Sequence, residues 1–180
     1  MNETLRVLKT RRSIKKFKPD PIPSEIIEEI LAAGMNAPTG KNFQSPIMIL
    51  VTKKEDVDAL ERLNAKVLGN PDAHPFYGAP TVIVVLADEK YFTHVYDGSL
   101  VMGNLLNAAH SLDIGACWIH RAKEVFESEE GKALLKKWGI PDGYEGIGNC
   151  VLGYRDCDFP LPKEKKTDYI SAATLDDNRL

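Results

Sequence analysis

The run from Gly98 to Leu112, GSLVMGNLLNAAHSL, is apolar nearly all the way round a helical circumference. A helix without a polar face has to be buried, so this one is expected to pack on a sheet and to offer its remaining side to a second subunit. Asp97 stands where an N-cap belongs, and Gly98 and Gly103 permit close approach. The sheet is supplied by neighbouring segments. TVIVVLA, from Thr81 to Ala87, is a continuous apolar run of the kind that marks a strand buried on both faces. IGACWI at 114–119 and IGNCVLGY at 147–154 read as further strands.

The other elements interleave with these. Residues 2–10 read as a short polar helix, and a second helix runs from Ser24 to about Gly34, with Ile26, Ile27, Ile30 and Leu31 on one face. A strand follows over Ile47–Val51, a surface helix over 55–67, and a helix over 123–138 ended by Gly139 and Pro141. The stretch GNPDAHPFYGAP is dense in turn residues and forms a loop. The closing segment PLPKEKKTDYISAATLDDNRL has too little apolar periodicity to pack alone and is expected to wrap a partner. At 180 residues, 43% of them hydrophobic, the chain fits a single domain over 1–180.

Several classes of function drop out. A net charge of -3 gives no global reason to bind nucleic acid or an anionic membrane, so any functional cation must act locally. No segment approaches the roughly 18–20 apolar residues of a membrane span, and the N-terminus lacks a signal-peptide core, so a soluble cytoplasmic protein is expected. Cys117, Cys150 and Cys157 include no CxxC pair, and His74, His94, His110 and His120 show no HExxH spacing. Neither a disulfide framework nor a metal is therefore expected. GMNAPTGK has five residues between its glycines and Asn42 after its lysine, which is not a P-loop. GYEGIGNC precedes a strand, where a dinucleotide-binding turn would follow one.

Three clusters carry candidate chemistry. Arg11-Arg12-Ser13-Ile14-Lys15-Lys16-Phe17 offers cations and a hydroxyl, the donors that suit a phosphate, although a solvated basic turn has the same composition. Ala37-Pro38-Thr39-Gly40-Lys41-Asn42-Phe43-Gln44-Ser45-Pro46 offers two carboxamides that both donate and accept, as the edge of a heterocycle requires. In Leu161-Pro162-Lys163-Glu164-Lys165-Lys166, residues 163 and 165 share one side of an extended chain, so two ammonium groups could converge on phosphate.

In this order and at this separation, the clusters resemble the nitroreductase family of flavoenzymes, over Leu5 to about Ile170. The landmarks are RRSIKKF, APTGKNFQSP, the buried helix followed by IGACWI, and the closing GY with LPKEK. The resemblance implies an α+β fold with a mixed, mainly antiparallel central sheet flanked by helices, and a homodimer in which the C-terminal tail wraps the partner. It implies FMN as cofactor, with Arg11, Ser13, Lys163 and Lys165 on its phosphate and Arg12 near the phosphate or ribityl chain. Arginine is common in the family where Lys165 stands, so Arg11 carries more of the bidentate contact here.

By the same resemblance Lys15 lies beside the flavin N1 and C2 carbonyl, where a cation stabilises the charge that reduction brings. Pro38, Thr39 and Gly40 come from the second subunit over the flavin, and Asn42 and Gln44 help anchor the site. The backbone of Trp118, Ile119 and His120 passes the flavin, with the His120 N–H toward N5. Lys15 and His120 are the catalytic candidates, although family enzymes usually draw protons from solvent, which favours a pocket-lining His120. Arg121 stands where glycine is frequent and could recruit an anionic substrate.

The implied activity is hydride transfer from NADH or NADPH, bound transiently over the flavin, to an electron-poor small molecule such as a nitroaromatic or quinone, by ping-pong kinetics. The loop from about Asn64 to Tyr77 is expected to border the pocket. The alternatives are a flavin destructase, reductive dehalogenase or azoline dehydrogenase on the same fold, or a noncatalytic FMN-binding protein.

Overall fold

The computed structural model describes residues 1–171. The distal part of the expected wrapping tail, residues 172–180, lies outside them.

The framework is an antiparallel sheet of β1 (Pro46–Val51), β2 (Thr81–Asp88), β3 (Gly115–Ile119) and β4 (Tyr144–Gly153), in the order β1-β2-β4-β3. β2 is central because it is apolar on both faces, and every residue from Thr81 to Ala87 is buried. It pairs with β1 from Pro46 opposite Ala87 to Val51 opposite Val82, and with β4 from Thr81 opposite Leu152 to Asp88 opposite Tyr144. The expected mixed character reduces to one isolated parallel bridge, Ser13 to Ala116, on the outer edge of β3.

Helices cover both faces. On one side α3 (Lys54–Val67), α5 (Ala122–Glu127) and α6 (Glu129–Lys137) place Leu60, Val125, Phe126 and Leu135 against Val82, Val84, Leu86 and Val151. On the other, α2 (Ser24–Met35) and α4 (His94–Ser111) place Ile30, Met102 and Leu105 against Ile83, Val85, Cys150 and Leu152. Each such side chain is worth about 1.5–3 kcal/mol when fully buried. The short α1 (Glu3–Thr10) is capped by Asn2, whose side chain accepts from the Leu5 N–H at 2.9 Å.

The structure corrects two of these readings. The helix expected over 123–138 is two helices, because nine residues at about 100° each would set Leu135 on the opposite side of one helix from Phe126. Both reach the same core only because the chain breaks at Ser128 (φ -73°, ψ 155°), whose hydroxyl then caps α6 at Gly131. Asp97 is not the N-cap of α4. The helix begins at His94, and Asp97 lies within its first turn, 2% exposed. Its burial on the sheet is as expected: a Cβ on Gly98 would come within 2.5 Å of Ile147. The outward side stays open, with Val95, Tyr96 and Leu100 exposed and nothing within 4 Å of a Cβ built on Gly103.

Candidate functional site

The N-terminal basic segment is bolted to the sheet edge. Arg11 donates its N–H to Val7 at the end of α1, Ile14 donates to the Ala116 carbonyl at 3.0 Å, and Phe17 bridges Arg155. Ile14 and Phe17 are buried, which leaves Ser13, Lys15 and Lys16 facing out. Backbone groups alternate between the two edges of a strand, so the amides of Ala116, Trp118 and His120 point the same way, off the free edge of β3. The Ala116 carbonyl on this edge accepts from the Ile14 N–H. Among the described residues no backbone carbonyl accepts from the His120 N–H, while the His120 carbonyl takes the Ala122 N–H at 2.9 Å.

Arg11 is half-buried, and its Nη1 is buried without an acceptor among the described residues. An orphaned guanidinium N–H is costly unless an anion meets it, so this side chain fits a phosphate. Arg11 and Arg12 line a cleft of about 520 Å³ together with Lys18, His110, Asp113 and Arg155. Arg12 also donates to the carbonyls of Lys9 and Arg11, closing the end of α1. Burial, then the charges of Arg6 and Arg11, hold the His110 imidazole below its ordinary pKa. Burial pushes the Cys117 thiol up, against opposing pulls from the Ser13 hydroxyl and the Lys15 and Arg11 charges. Cys117 is thus a packed, buried thiol with a raised pKa, which does not suit a nucleophile.

Lys15 carries its ammonium 5.9 Å from the centre of the Tyr77 ring. Tyr77 was expected only as the end of a loop bordering the pocket, and the structure sets it beside Lys15. It holds a left-handed backbone (φ 57°) and gives its carbonyl to the Phe17 N–H, so it is fixed beside Lys15. This end of the 64–77 stretch borders the segment. Asn64 lies inside α3, buried, and its side-chain oxygen accepts from Asn149 at 3.2 Å.

The 37–46 loop lies at the opposite edge of the sheet, leading into β1. Pro38, Asn42 and Gln44 are exposed, Thr39 and Gly40 half-buried, and Gln44 donates to the Asn42 side chain at 3.3 Å. Lys41, Asn42 and Gln44 all have positive φ (48°, 57° and 51°), a strain of order 1–3 kcal/mol each. What offsets it is Asp97, whose carboxylate accepts from the Gly40 N–H and from the Ser45 and Thr93 hydroxyls, each at 2.9 Å. Hydrogen bonds to a charged group contribute about 1.5–3 kcal/mol, a matching size. Phe43 stacks on Tyr91 at 4.6 Å and completes the anchor.

Within one chain the structure therefore does not bring Pro38, Thr39, Gly40, Asn42 and Gln44 to Arg11, Ser13 and Lys15. Trp118 is half-buried against Gly148, Ile119 is buried and His120 is exposed. Arg121 is half-buried at the N-cap of α5, with its Nε lacking a partner among the described residues. Lys163 and Lys165 are exposed in the tail, and neither forms an ion pair among the described residues. The start of the tail does lead toward Arg11, since Phe159 packs 5.7 Å from the His110 ring. The described residues contain no group of three or more His, Cys, Asp or Glu able to hold a metal, and no helix long and apolar enough to cross a membrane.

Known proteins share this architecture. A protein of Methanothermobacter thermautotrophicus named "Putative NADH dehydrogenase/NAD(P)H nitroreductase" is 35% identical over 162 residues, covering 84% of this chain and 77% of that protein. One of the same name from Archaeoglobus fulgidus is 34% identical over 177 residues, covering 94% and 91%. The crystal structure of a nitroreductase with bound FMN from Desulfitobacterium hafniense superposes with a TM-score of 0.87 at 29% identity, over 97% of this chain and all of that one. The family model for the nitroreductase family matches residues 8–154, and the chain belongs to that family.

Proposed function

We propose that this protein is a cytoplasmic, homodimeric FMN-dependent oxidoreductase, one domain over residues 1–180, that passes hydride from NADH or NADPH to an electron-poor small molecule. The observation that carries the proposal is that, among the described residues, a buried Arg11 N–H and the His120 N–H past the end of β3 both lack an acceptor. One suits a phosphate and the other an acceptor atom on a flat ring, and Lys15 offers a cation on the same segment as Arg11. FMN bound there would supply reversible two-electron chemistry.

Each residue has a separate task. Arg11 and Ser13 hold the phosphate, with Lys163 and Lys165 brought in by the tail and Arg12 beside them. Lys15, steadied by Tyr77, places positive charge where reduction concentrates negative charge. The Trp118–His120 backbone would flank the flavin ring, and its strand geometry keeps the His120 N–H aimed outward. His120 itself lines the opening, and solvent reaches it to supply protons. The exposed row of Tyr96 and Leu100 on α4, and Leu161, Tyr169 and Ile170 of the tail, support a partner subunit that brings Pro38–Gly40 over the ring.

One open face serves donor and acceptor in turn, so steady-state kinetics should be ping-pong, with nitroaromatics or quinones as acceptors. The test is the absorption spectrum of the purified protein followed by anaerobic titration with NADH and NADPH. A flavin spectrum that bleaches stoichiometrically and recovers on adding acceptor is the expected result. A bound flavin that neither nucleotide reduces would mark a noncatalytic binding protein.

A further inference from the structure

We propose that Asp97 is a positioning residue that holds the 39–45 loop in the one shape in which it completes the partner subunit's flavin site. The proposal rests on the reading that FMN binds between two subunits, and it assigns a role to a residue that touches no cofactor. Asp97 is 2% exposed and belongs to α4, 52 residues from Ser45 and 57 from Gly40 in sequence. Its two oxygens gather the loop's two ends, the Gly40 N–H at one and the Ser45 hydroxyl at the other, while Thr93 from the turn before α4 adds a third donor. The segment between those ends holds the left-handed residues Lys41, Asn42 and Gln44. A strained loop persists only when its surroundings over-determine it, and the carboxylate is the group that does so.

Two further observations fit this role. A Cβ on Gly40 would come within 2.5 Å of the Thr93 hydroxyl, so the loop sits on its anchor with no slack. The outward face of α4, with Tyr96 and Leu100 exposed, begins in the same turn as Asp97. The carboxylate thus ties the loop to the helix that faces the partner, and docking the helix delivers the loop already shaped. Preformed geometry of this kind lowers the ordering cost of binding. Asparagine should serve nearly as well, because its oxygen can accept from Gly40 while both hydroxyls turn to accept from its amide.

Mixed dimers test the assignment. Two chains are coexpressed under different tags, one carrying Asp97→Ala and the other Arg11→Ala, and the heterodimer is isolated through both tags. FMN stoichiometry and affinity are read by absorbance and fluorescence, without turnover. The Asp97→Ala homodimer should bind FMN at least about tenfold more weakly than wild type, as expected for a lost charge-assisted bond. The Asp97→Asn homodimer should stay within about threefold of wild type. The heterodimer should recover one tight FMN per two chains, because the chain with an intact Arg11 then faces a partner with an intact loop.

Wild-type affinity in the Asp97→Ala homodimer, or no recovery in the heterodimer, overturns the proposal. If Asp97→Ala yields no soluble dimer, Ser45→Ala with Thr93→Ala replaces it in the same mixing, removing two donors from the carboxylate on residues outside the flavin site. A wild-type protein that is monomeric or binds no FMN would instead refute the underlying reading, and this proposal with it.

Discussion

The chain holds the two stretches assigned to one phosphate in opposite ways. Segment 11–17 is locked to the sheet by the Ser13 and Phe17 bridges and by two buried side chains, so Arg11 is in place before any ligand arrives. The tail beyond Phe159 has no regular structure among its described residues, and Leu161, Lys163 and Lys165 stand in solvent. Immobilising a lysine costs up to about 2 kcal/mol of rotamer freedom, while an exposed ion pair returns about 0–1 kcal/mol. The locked arginine should therefore dominate affinity, and the tail lysines should matter only once a partner has ordered them.

The sharpest way to break this contrast is to remove each side in turn. Arg11→Ala should raise the FMN dissociation constant about 10- to 100-fold by isothermal titration, from the loss of one or more charge-assisted bonds. Lys163→Ala with Lys165→Ala should raise it by less than about tenfold, and by less still at high salt, where exposed charges are screened. A double lysine variant as damaging as Arg11→Ala would mean that the tail is ordered before FMN binds.

A smaller effect concerns electrons. Lys15→Ala should lower the flavin's reduction potential and slow its reduction by NAD(P)H with FMN still bound, because charge near N1 loses its partner. Tyr77→Leu should move the potential the same way but less, and Tyr77→Phe should leave it in place, since a ring still faces the ammonium. Potentiometry of the FMN-loaded variants decides. An unchanged potential in Lys15→Ala would move the cation beside N1 to another residue.

The smallest expected effect sits where the two stretches meet, at His110 between Arg11 and Phe159. Its folded pKa is lowered, so the unfolded chain takes up the proton first. The stability this histidine contributes is intact above its ordinary value near 6.5 and is lost as the pH falls from there toward the lowered folded value. Thermal melts from pH 8 to 5 should show this slope in wild type and a flatter one in His110→Gln. Parallel slopes would mean that His110 titrates alike in both states.

What was legible in the sequence was whatever local pattern decides. The apolar run 81–87 specified a central strand, and the spacing of Ile26, Ile27, Ile30 and Leu31 specified the face of α2. The order of the three polar clusters was enough to identify the family. Asp97 was misread because an acid ahead of an apolar helix is an N-cap signature, while two of its three donors, Gly40 and Ser45, lie more than fifty residues away. Tyr77 was named only as the end of a bordering loop, because a tyrosine in a turn-rich stretch does not reveal that its backbone is left-handed or that Lys15 will lie over it. The break at Ser128 needed the direction of the core, which sets Phe126 and Leu135 on one side.

The open stretch of β3 also bears on how the chain survives before any cofactor reaches it. A sheet edge with free amides is a template on which a foreign strand can grow, and long edges of that kind seed aggregates. Here the bridge at Ala116 closes one end, and the Ala122 N–H closing back on the His120 carbonyl bends the chain away at the other. The remaining rungs are too few to hold an intruding strand in register. An edge short enough to be safe would still be long enough for the one flat ring proposed to lie there.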